Sequence, residues 1–309
     1  QACQTNIAWI LDARSTEFDI AAWKGHPLRE IRNITEYIEK SAGEIAPSLL
    51  RYTEASNYYG RKLIDYNGTL NIGRGESFEK GVDIISNDED ALNKVIAHLL
   101  KRHNFGGNWR QRYEHVKKKM SFDDMIAVLR TAVSERGNHD EWVETDEDFD
   151  LVKLTFEIRT DLGAIRDWRR HQKWDRNEAR YTLENGFHLP YMVKDMSNKA
   201  GELFDGSINL AGEAERKIRD KLPYHAQYVL PMATNHAIVM SSGLDQLQYM
   251  VWTRSTAEGN FSYRQDAFNI AEAACKMMPW LLGYQDYPEG KSFMKIYNEA
   301  PLKNLLRLD

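Results

Sequence analysis

The alternation of hydrophobic and polar residues is clearest in the middle of the chain. Between Val152 and Ile158, apolar residues alternate with polar ones, and this period of two predicts a half-buried β-strand. Residues 226–232 and 236–240 also predict strands. Because Pro231 has no backbone N–H, it should place the first of these two strands at an edge or a bend.

Most other hydrophobic residues recur at spacings of three and four, which predicts amphipathic helices. Ser121, and either Asp88 or Asp90, are suited to cap two of them. The predicted helices cover residues 27–40, about 90–103, 121–136, 197–221, 244–252 and 263–278. Helices therefore outnumber strands, and this pattern indicates an α+β domain.

Two of these helices carry hydrophobic stripes that we expect to be buried. The first stripe consists of Ile31, Ile34, Tyr37 and Ile38, and the second of Leu203, Phe204, Ile208 and Ile218.

The composition of the 309-residue chain is that of an ordinary globular protein, with 42% hydrophobic and 28% charged residues. The net charge of −5 argues against a nucleic-acid coat. The sequence has no apolar run of about 20 residues, so we expect no membrane span. Cys3 and Cys275 are far apart and are expected to be free thiols in a reducing, cytoplasmic compartment.

The sequence lacks the motifs of several common kinds of catalytic site. The nine histidines lack His-Glu-x-x-His spacing and the two cysteines lack Cys-x-x-Cys spacing, so we expect no metal site. A Gly-x-Ser-x-Gly nucleophile motif and a Walker phosphate loop are also missing. Enzymatic chemistry, if the chain has any, should therefore depend on a bound cofactor.

The strongest candidate site is the stretch 168–181, which reads Trp-Arg-Arg-His-Gln-Lys-Trp-Asp-Arg-Asn-Glu-Ala-Arg-Tyr. Arginines bind phosphate and carbonyl oxygens, and aromatic rings cover flat ligands. The stretch follows the predicted strand through the turn 161–163, so it should begin on a rigid helix. The alternative is a salt-bridged surface formed by Arg166, Arg169 and Arg176, with Trp168 and Trp174 packed in the core.

A second basic segment, residues 101–119, has Trp109 and Tyr113 among its cations. It is either a solvated basic face or a patch that binds phosphate.

The candidate stretch resembles the hallmark of the flavin-dependent thymidylate synthase family, Arg-His-Arg-x-x-Ser-x-Asn-Glu-x-Ser-x-Arg-Tyr. Arg170-His171 matches its start, and Asn177-Glu178 falls at the right distance. The later segments 229–231, 253–256 and 278–280 also resemble family segments in order and spacing. The resemblance covers roughly residues 85–285, and the chain is similar to a divergent branch of the family.

This resemblance implies a curved antiparallel sheet flanked by helices and a role for each matched residue. Arg170, His171 and Asn177 would bind the cofactor FAD, and Glu178, Arg180 and Arg254 would bind the nucleotide. Arg254 would also be catalytic, because a cation near the pyrimidine carbonyl stabilises the negative charge that develops on the base. Methylenetetrahydrofolate and NADPH would be co-substrates in methylation of dUMP to dTMP.

The resemblance also implies the assembly and the extent of the family-like domain. The family forms homotetramers whose active sites draw on several subunits, and we expect the same here, with no nucleic-acid or membrane partner. Residues 1–47 match no family segment and are expected to be an N-terminal extension, followed by the family-like domain at 48–309.

The sequence departs from the family at several motif positions. The departures lie at Gln172, Asp175, Gln227, Gly243 and Tyr249. Arg180 is a further departure when the motif is aligned without a gap. These departures leave two alternatives open. One is a related flavoenzyme that acts on another nucleotide or transfers hydroxymethyl, and the other is a nucleotide- or flavin-binding scaffold without turnover.

Overall fold

The computed structural model describes residues 12–56, 58, 77–102, 107–133, 149–178, 180–256 and 259–284. Two compact units are present: the described parts of 1–74 together with 213–229, and the described parts of 75–212 together with 230–309. Cys3 lies outside the described residues. The domain boundary at residue 48 stays a prediction.

The first unit contains α1 (Ala13–Trp23) and α2 (Arg29–Ile45), which contact each other. Helix α2 confirms the predicted helix, but its predicted buried stripe is wrong. The helix buries Thr35, with Ile31 and Ile38 half-buried beside it. Ile34 and Tyr37 are 47% and 73% exposed, so the helical period was right but half of the stripe is on the surface.

The second unit is built on an open antiparallel sheet of four strands in the order β1-β2-β4-β3. The strands are β1 (Gly81–Asn87), β2 (Lys153–Asp161), β3 (Asp175–Glu178) and β4 (Asn235–Gly243). Strand β2 confirms the predicted alternation, since Leu154, Phe156 and Ile158 are fully buried. Strand β4 confirms the strand predicted at 236–240 and buries Ile238 and Met240 opposite them.

The strand predicted at 226–232 is wrong. Residues Ala226–Val229 form a 3-10 helix. Pro231 then accepts a backbone hydrogen bond from Thr234 at 3.0 Å, which closes a turn just before β4. Because proline cannot donate to a strand neighbour, a turn is the better use of this segment.

Helices cover the inner face of the sheet, and α6, α9 and α10 among them contact the strands. The helices of this part of the chain are α3 (Ala91–Leu99), α4 (Trp109–Lys119), α5 (Phe122–Val133), α6 (Leu162–Trp168), α7 (Tyr191–Met196), α8 (Asn198–Arg219), α9 (Leu244–Ser255) and α10 (Phe261–Met277). The end of α8, from Glu213 onward, belongs to the first unit. The α+β class and the antiparallel sheet flanked by helices are thus confirmed.

The predicted helices at 90–103, 121–136, 197–221, 244–252 and 263–278 are confirmed as α3, α5, α8, α9 and α10. Ser121 caps α5, since its hydroxyl accepts from the Asp124 N–H at 3.2 Å. On α8 the predicted stripe is only partly right. Ile208 is buried, but Leu203 is 65% exposed because five residues separate them, which is a rotation of about 140° around a helix.

Asp161 fixes the junction between β2 and α6. Its carboxylate caps α6 by accepting from the Ala164 N–H at 2.9 Å. It also pairs with Lys80 Nζ at 2.7 Å and accepts from the Ser262 hydroxyl at the start of α10. Burial alone would raise the pKa of Asp161, but Lys80 and these hydrogen bonds outweigh it and hold the pKa below its usual value.

We expect Asp161→Ala to lower the free energy of unfolding by about 3 kcal/mol, since it leaves Lys80 without its partner and removes a helix cap. Urea denaturation measures the loss. The matched control is Asn108→Ala, which removes the exposed cap of α4 and should cost only about 1 kcal/mol. Equal losses in the two variants would contradict a special role for the Lys80 pair.

Candidate functional site

Arg254 and His171, which are 83 residues apart in the sequence, meet in the structure. Arg254 lies in the last turn of α9, and its Nε donates to His171 Nε2 at 3.0 Å. Its Nη2 donates to the carbonyl oxygen of Asp167 at 3.1 Å. The contact joins two of the segments that the sequence singled out, the Arg-His pair and the late Thr-Arg-Ser-Thr segment.

The Arg254 guanidinium is also held from one side. Its central carbon lies 5.3 Å from the centre of the Tyr263 ring on α10, a cation–π distance. A guanidinium has five N–H donors, and the contacts with His171 and Asp167 use two of them. The result is a half-buried cation with a fixed plane and with donors left to bind a ligand.

His171 is a buried neutral imidazole. It is 8% exposed, and the rings of Trp168 and Tyr249 lie 6.1 and 6.2 Å away. Burial lowers the pKa of His171 most, and the charges of Arg254 and Arg176 lower it further, to about 3. Since Nε2 accepts the Arg254 bond, the ring proton must be on Nδ1.

Both tryptophans of the candidate stretch belong to the core, as the packing alternative predicted. Trp168 is fully buried, and its indole N–H donates to Asp266 Oδ2 at 3.1 Å. Burial raises the pKa of Asp266 to about 6. Trp174 packs edge-on against Phe156 at 5.3 Å. These contacts fix the two ends of the turn that carries His171.

A second group of charged residues surrounds Glu178 on the edge strand β3. Arg169 Nε donates to both carboxylate oxygens of Glu178, at 3.0 and 3.2 Å. The Tyr181 hydroxyl donates to Glu178 Oε2 at 3.0 Å, and Arg169 lies 5.3 Å from the Tyr181 ring. The salt-bridge interpretation is therefore confirmed for Arg169.

His236 completes this group and was missed as a site residue. It is fully buried, its Nε2 lies 3.7 Å from Glu178 Oε2, and its ring lies 4.5 Å from that of Tyr181. Burial would raise the pKa of Glu178, but His236 and Arg169 outweigh it and lower the pKa to about 2. The one available signal was the inward position of His236, two residues before Ile238 in a strand.

Asn177 and Glu178 lie on opposite faces of the sheet. Glu178 is paired with Ile238, whose side chain is in the core, and Asn177 is paired with Val239. Directly paired strand residues point to the same face, and neighbours along a strand point to opposite faces. Within one chain, Glu178 therefore shares the helix-covered face, and Asn177 points away from it.

The other two predicted site residues are on the surface. The Arg170 side chain is 67% exposed, with Nε 3.4 Å from Asp167 Oδ1. Arg180 is exposed as well. The structure thus brings His171 and Arg254 into direct contact. Arg170 precedes His171 in the chain, and Asn177 points to the face of the sheet opposite Glu178.

The basic face of α4 is occupied by its own contacts. Trp109 stacks on Tyr113 at 5.1 Å, and the Tyr113 hydroxyl donates to Asp90 at 2.6 Å. Lys118 pairs with Glu114 at 2.7 Å. These contacts favour the solvated-face interpretation over a phosphate site.

A family model described as thymidylate synthase complementing protein matches residues 108–280 of the chain. The chain belongs to this family. The match includes the candidate stretch and Arg254, so the segments that meet in the structure are segments of one family domain.

The curated relatives are divergent members. A UPF0159 protein of Chlamydia muridarum is 26% identical over 98% of this chain and 57% of its own length. One of Chlamydia pneumoniae is 23% identical over 90% and 53%, and one of Thermoplasma acidophilum is 26% identical over 77% and 49%. The chain thus spans about half the length of the curated relatives it matches.

Gly243 shows how the thymidylate synthase complementing domain is altered in this chain. A Cβ atom at Gly243 would lie 2.7 Å from the Cα atom of Asp150 and 2.7 Å from Asp245 Oδ1. The asparagine that the family resemblance expects at this position has no room. Two other altered positions, Gln172 and Asp175, are exposed and are not restricted by packing in this way.

Within the described ranges, no three His, Cys, Asp or Glu side chains are grouped to hold a metal ion. The described helices also include none that is long and apolar enough to cross a membrane.

We expect His171 to stay neutral between about pH 5 and 8, because its pKa is about 3. Its pKa is lower than in the unfolded chain, so its contribution to stability is full above about pH 6.5 and is lost as the pH falls toward the folded value.

Arg254→Met should raise the pKa of His171 but leave it below 6.5, since burial is unchanged. NMR titration of the imidazole carbons measures both values, with the exposed Arg166→Met as control. An unchanged His171 pKa in Arg254→Met would contradict the contact.

Proposed function

We propose that the chain catalyses flavin-dependent methylation of a pyrimidine deoxynucleotide, of the dUMP-to-dTMP type, with a folate one-carbon donor. The observation that carries the proposal is the contact between Arg254 and His171, which joins two motif segments of the family domain. The co-substrates would be methylenetetrahydrofolate and NADPH. We place the reaction in the cytoplasm, which suits the free thiol of Cys275.

The surroundings of His171 fit an anionic dinucleotide such as FAD. Arg170 and Arg176 are exposed cations on either side of His171 in the chain, and a diphosphate needs such cations. Arg170 would bind the diphosphate, and neutral His171 would face the ring system. When bound, FAD supplies the reducing equivalents that turn the transferred carbon into a methyl group.

Arg254 would act on the pyrimidine. Its remaining N–H donors would bind a ring carbonyl oxygen and stabilise the negative charge that develops when C5 attacks the one-carbon donor. The contacts with His171, Asp167 and Tyr263 fix the guanidinium beforehand, so the cation need not reorganise during the reaction. The neutral state of His171 matters here, because a second positive charge would repel Arg254.

Glu178 and Arg180 would bind the rest of the nucleotide. The low pKa of Glu178 keeps its carboxylate ionised, and an ionised carboxylate accepts from ribose hydroxyls. Arg180 is exposed on the same segment and would bind the phosphate. Asn177 points to the opposite face of its own sheet, so we propose that it contributes to the site of a neighbouring subunit in a homotetramer.

A related activity is the second candidate, and Gly243 favours it. The asparagine position is filled by Asp150 and Asp245, and two carboxylates there would weaken binding of an anionic ligand. A flavoenzyme for another nucleotide, or one that transfers hydroxymethyl, would fit such a change.

Two measurements separate the candidates. Purified protein, or protein incubated with FAD, should show the visible absorption band of bound flavin, and a preparation that never binds flavin would favour a scaffold without turnover. The flavin-bound protein should then release tritium from dUMP labelled at C5 when methylenetetrahydrofolate and NADPH are present. Flavin binding without tritium release would move the proposal to another nucleotide.

We expect Arg254→Ala to lower turnover at least about 100-fold while the chain still folds, because Arg254 is half-buried and not part of the apolar core. The measurement is tritium release, with thermal unfolding as the check on folding. Arg166→Ala, which removes an exposed arginine of α6, is the matched control and should keep its activity. Full activity in a folded Arg254→Ala variant would rule out the proposed role.

A further inference from the structure

A row of polar side chains crosses the largely apolar inner face of the sheet. Thr160 on β2 and His236 on β4 are directly paired, so their side chains lie on the same face, with Cβ atoms about 4.5–5.5 Å apart. Both residues are fully buried. Glu178 on β3 lies on that face too, because it is paired with Ile238, two residues along β4 from His236. Each of three neighbouring strands therefore contributes one polar residue to the row.

Asp266 on α10 lies at the β2 end of this row. It is 1% exposed, the Thr160 side chain faces it, and it accepts from the Trp168 indole N–H at 3.1 Å. The charged groups Lys80 and Asp161 also face it, but Lys80 is paired with Asp161 at 2.7 Å. Burial therefore dominates at Asp266 and raises its pKa to about 6. The row thus begins at a buried carboxyl group that binds a proton readily.

Three polar atoms in the middle of the row have no hydrogen-bond partner among the residues that the structure describes. They are the Thr160 hydroxyl oxygen and the two ring nitrogens of His236. Buried polar atoms of this kind are costly unless they are paired. A threonine hydroxyl rotates, and an imidazole can carry its proton on either nitrogen, so these neighbours are able to pair with each other.

The charge of Glu178 sets the direction of the hydrogen bonds. An ionised carboxylate is only an acceptor, and His236 Nε2 lies 3.7 Å from Glu178 Oε2, so the ring proton belongs on Nε2. Nδ1 is then an acceptor for the Thr160 O–H, and the Thr160 oxygen can accept from a protonated Asp266. In this order each donor of the row meets an acceptor.

We propose that Asp266, Thr160 and His236 are positioning residues that hold Glu178 through one row of hydrogen bonds. The protonated Asp266 carboxyl donates to Thr160, Thr160 donates to His236 Nδ1, and His236 Nε2–H donates to Glu178. Hydrogen bonds in such a row strengthen one another in a buried, low-dielectric environment. The row links a carboxyl group in the helix layer to a carboxylate of the candidate site.

The row also determines which oxygen of Glu178 is left for a ligand. His236, the Tyr181 hydroxyl and Arg169 Nη2 all approach Oε2. Oε1 accepts from Arg169 Nε at 3.0 Å, and a carboxylate oxygen has about two acceptor sites. Oε1 is therefore the oxygen that would accept from a ribose hydroxyl. This last step rests on the proposed function, whereas the row itself does not.

The proton on Asp266 controls the row. An ionised Asp266 cannot donate, so the Thr160 hydroxyl turns to the carboxylate and His236 Nδ1 loses its donor. Because the pKa of Asp266 is raised from 3.8 to about 6 in the folded chain, the complete row is populated below about pH 6 and is lost as the pH rises through this value.

NMR of the His236 ring nitrogens tests the row without flavin or substrate. The ring proton should be on Nε2, and the Nδ1 resonance should shift in one step with a midpoint of about pH 6 as Asp266 ionises. Asp266→Asn and Thr160→Val should remove this step, and Thr160→Ser should keep it. The matched control is Ser242→Ala, which removes another buried hydroxyl at the far end of β4 and should keep the step as well.

Two results would overturn the row. One is a proton on Nδ1 in the unchanged chain, which is measured whether or not the variants fold. The other is a step that persists in Asp266→Asn or Thr160→Val, with circular dichroism as the check on folding.

Steady-state kinetics of the flavin-loaded protein test what the row does for Glu178. Thr160→Val should raise the KM for dUMP at least about fivefold and leave kcat nearly unchanged, because a ribose contact is made equally in the ground and transition states. Thr160→Ser and Ser242→Ala should keep both values. An unchanged KM in folded Thr160→Val would contradict positioning of Glu178 by the row. If the unchanged chain does not turn over dUMP, the proposed function fails, and the NMR step still decides the row.

Discussion

The placement of the site depends on one buried interaction, the contact of Asp161 with Lys80, Ser262 and the Ala164 N–H in the first turn of α6. Asp161 is the last residue of β2 and the cap of α6, so it sets the direction in which the chain leaves the sheet. Lys80 precedes β1 and Ser262 begins α10. One carboxylate therefore holds three segments together at the sheet end from which the candidate site is built.

Contacts within the protein core fix the position of His171 next to this junction. Trp168 ends α6 and is anchored to Asp266, and the His171 N–H donates to the Trp168 carbonyl oxygen at 3.2 Å. The ring then lies in an apolar environment beside Arg254. Burial and two nearby guanidinium groups both disfavour a protonated imidazole. The contact with Arg254 is consequently a cation bound to a neutral acceptor, which leaves the positive charge of Arg254 available.

Sequence patterns predicted what depends on local order. The alternation in β2, the helical periods of α3, α5, α9 and α10, and the Arg-His and Asn-Glu spacing could all be read along the chain. The strand prediction for 226–232 was wrong because the apolar residues of this segment suit a strand. The turn closed by Pro231 depends on how the chain enters β4, which the local pattern does not show. The group around Glu178 was missed for a similar reason: His236 and Glu178 become neighbours only when β3 pairs with β4.

The residues that the chain retains from the family motif differ physically from those it has replaced. His171 and Arg254 contact each other and also Asp167, Trp168 and Tyr263, so each makes contacts within the chain besides any contact with a ligand. Gln172 and Asp175 are exposed, and surface positions of this kind change at little cost to stability. Their replacement therefore alters the surface beside His171 at little cost to stability. Retention of the Arg254–His171 contact reflects the fold as much as the chemistry, which is why binding and turnover have to be measured separately.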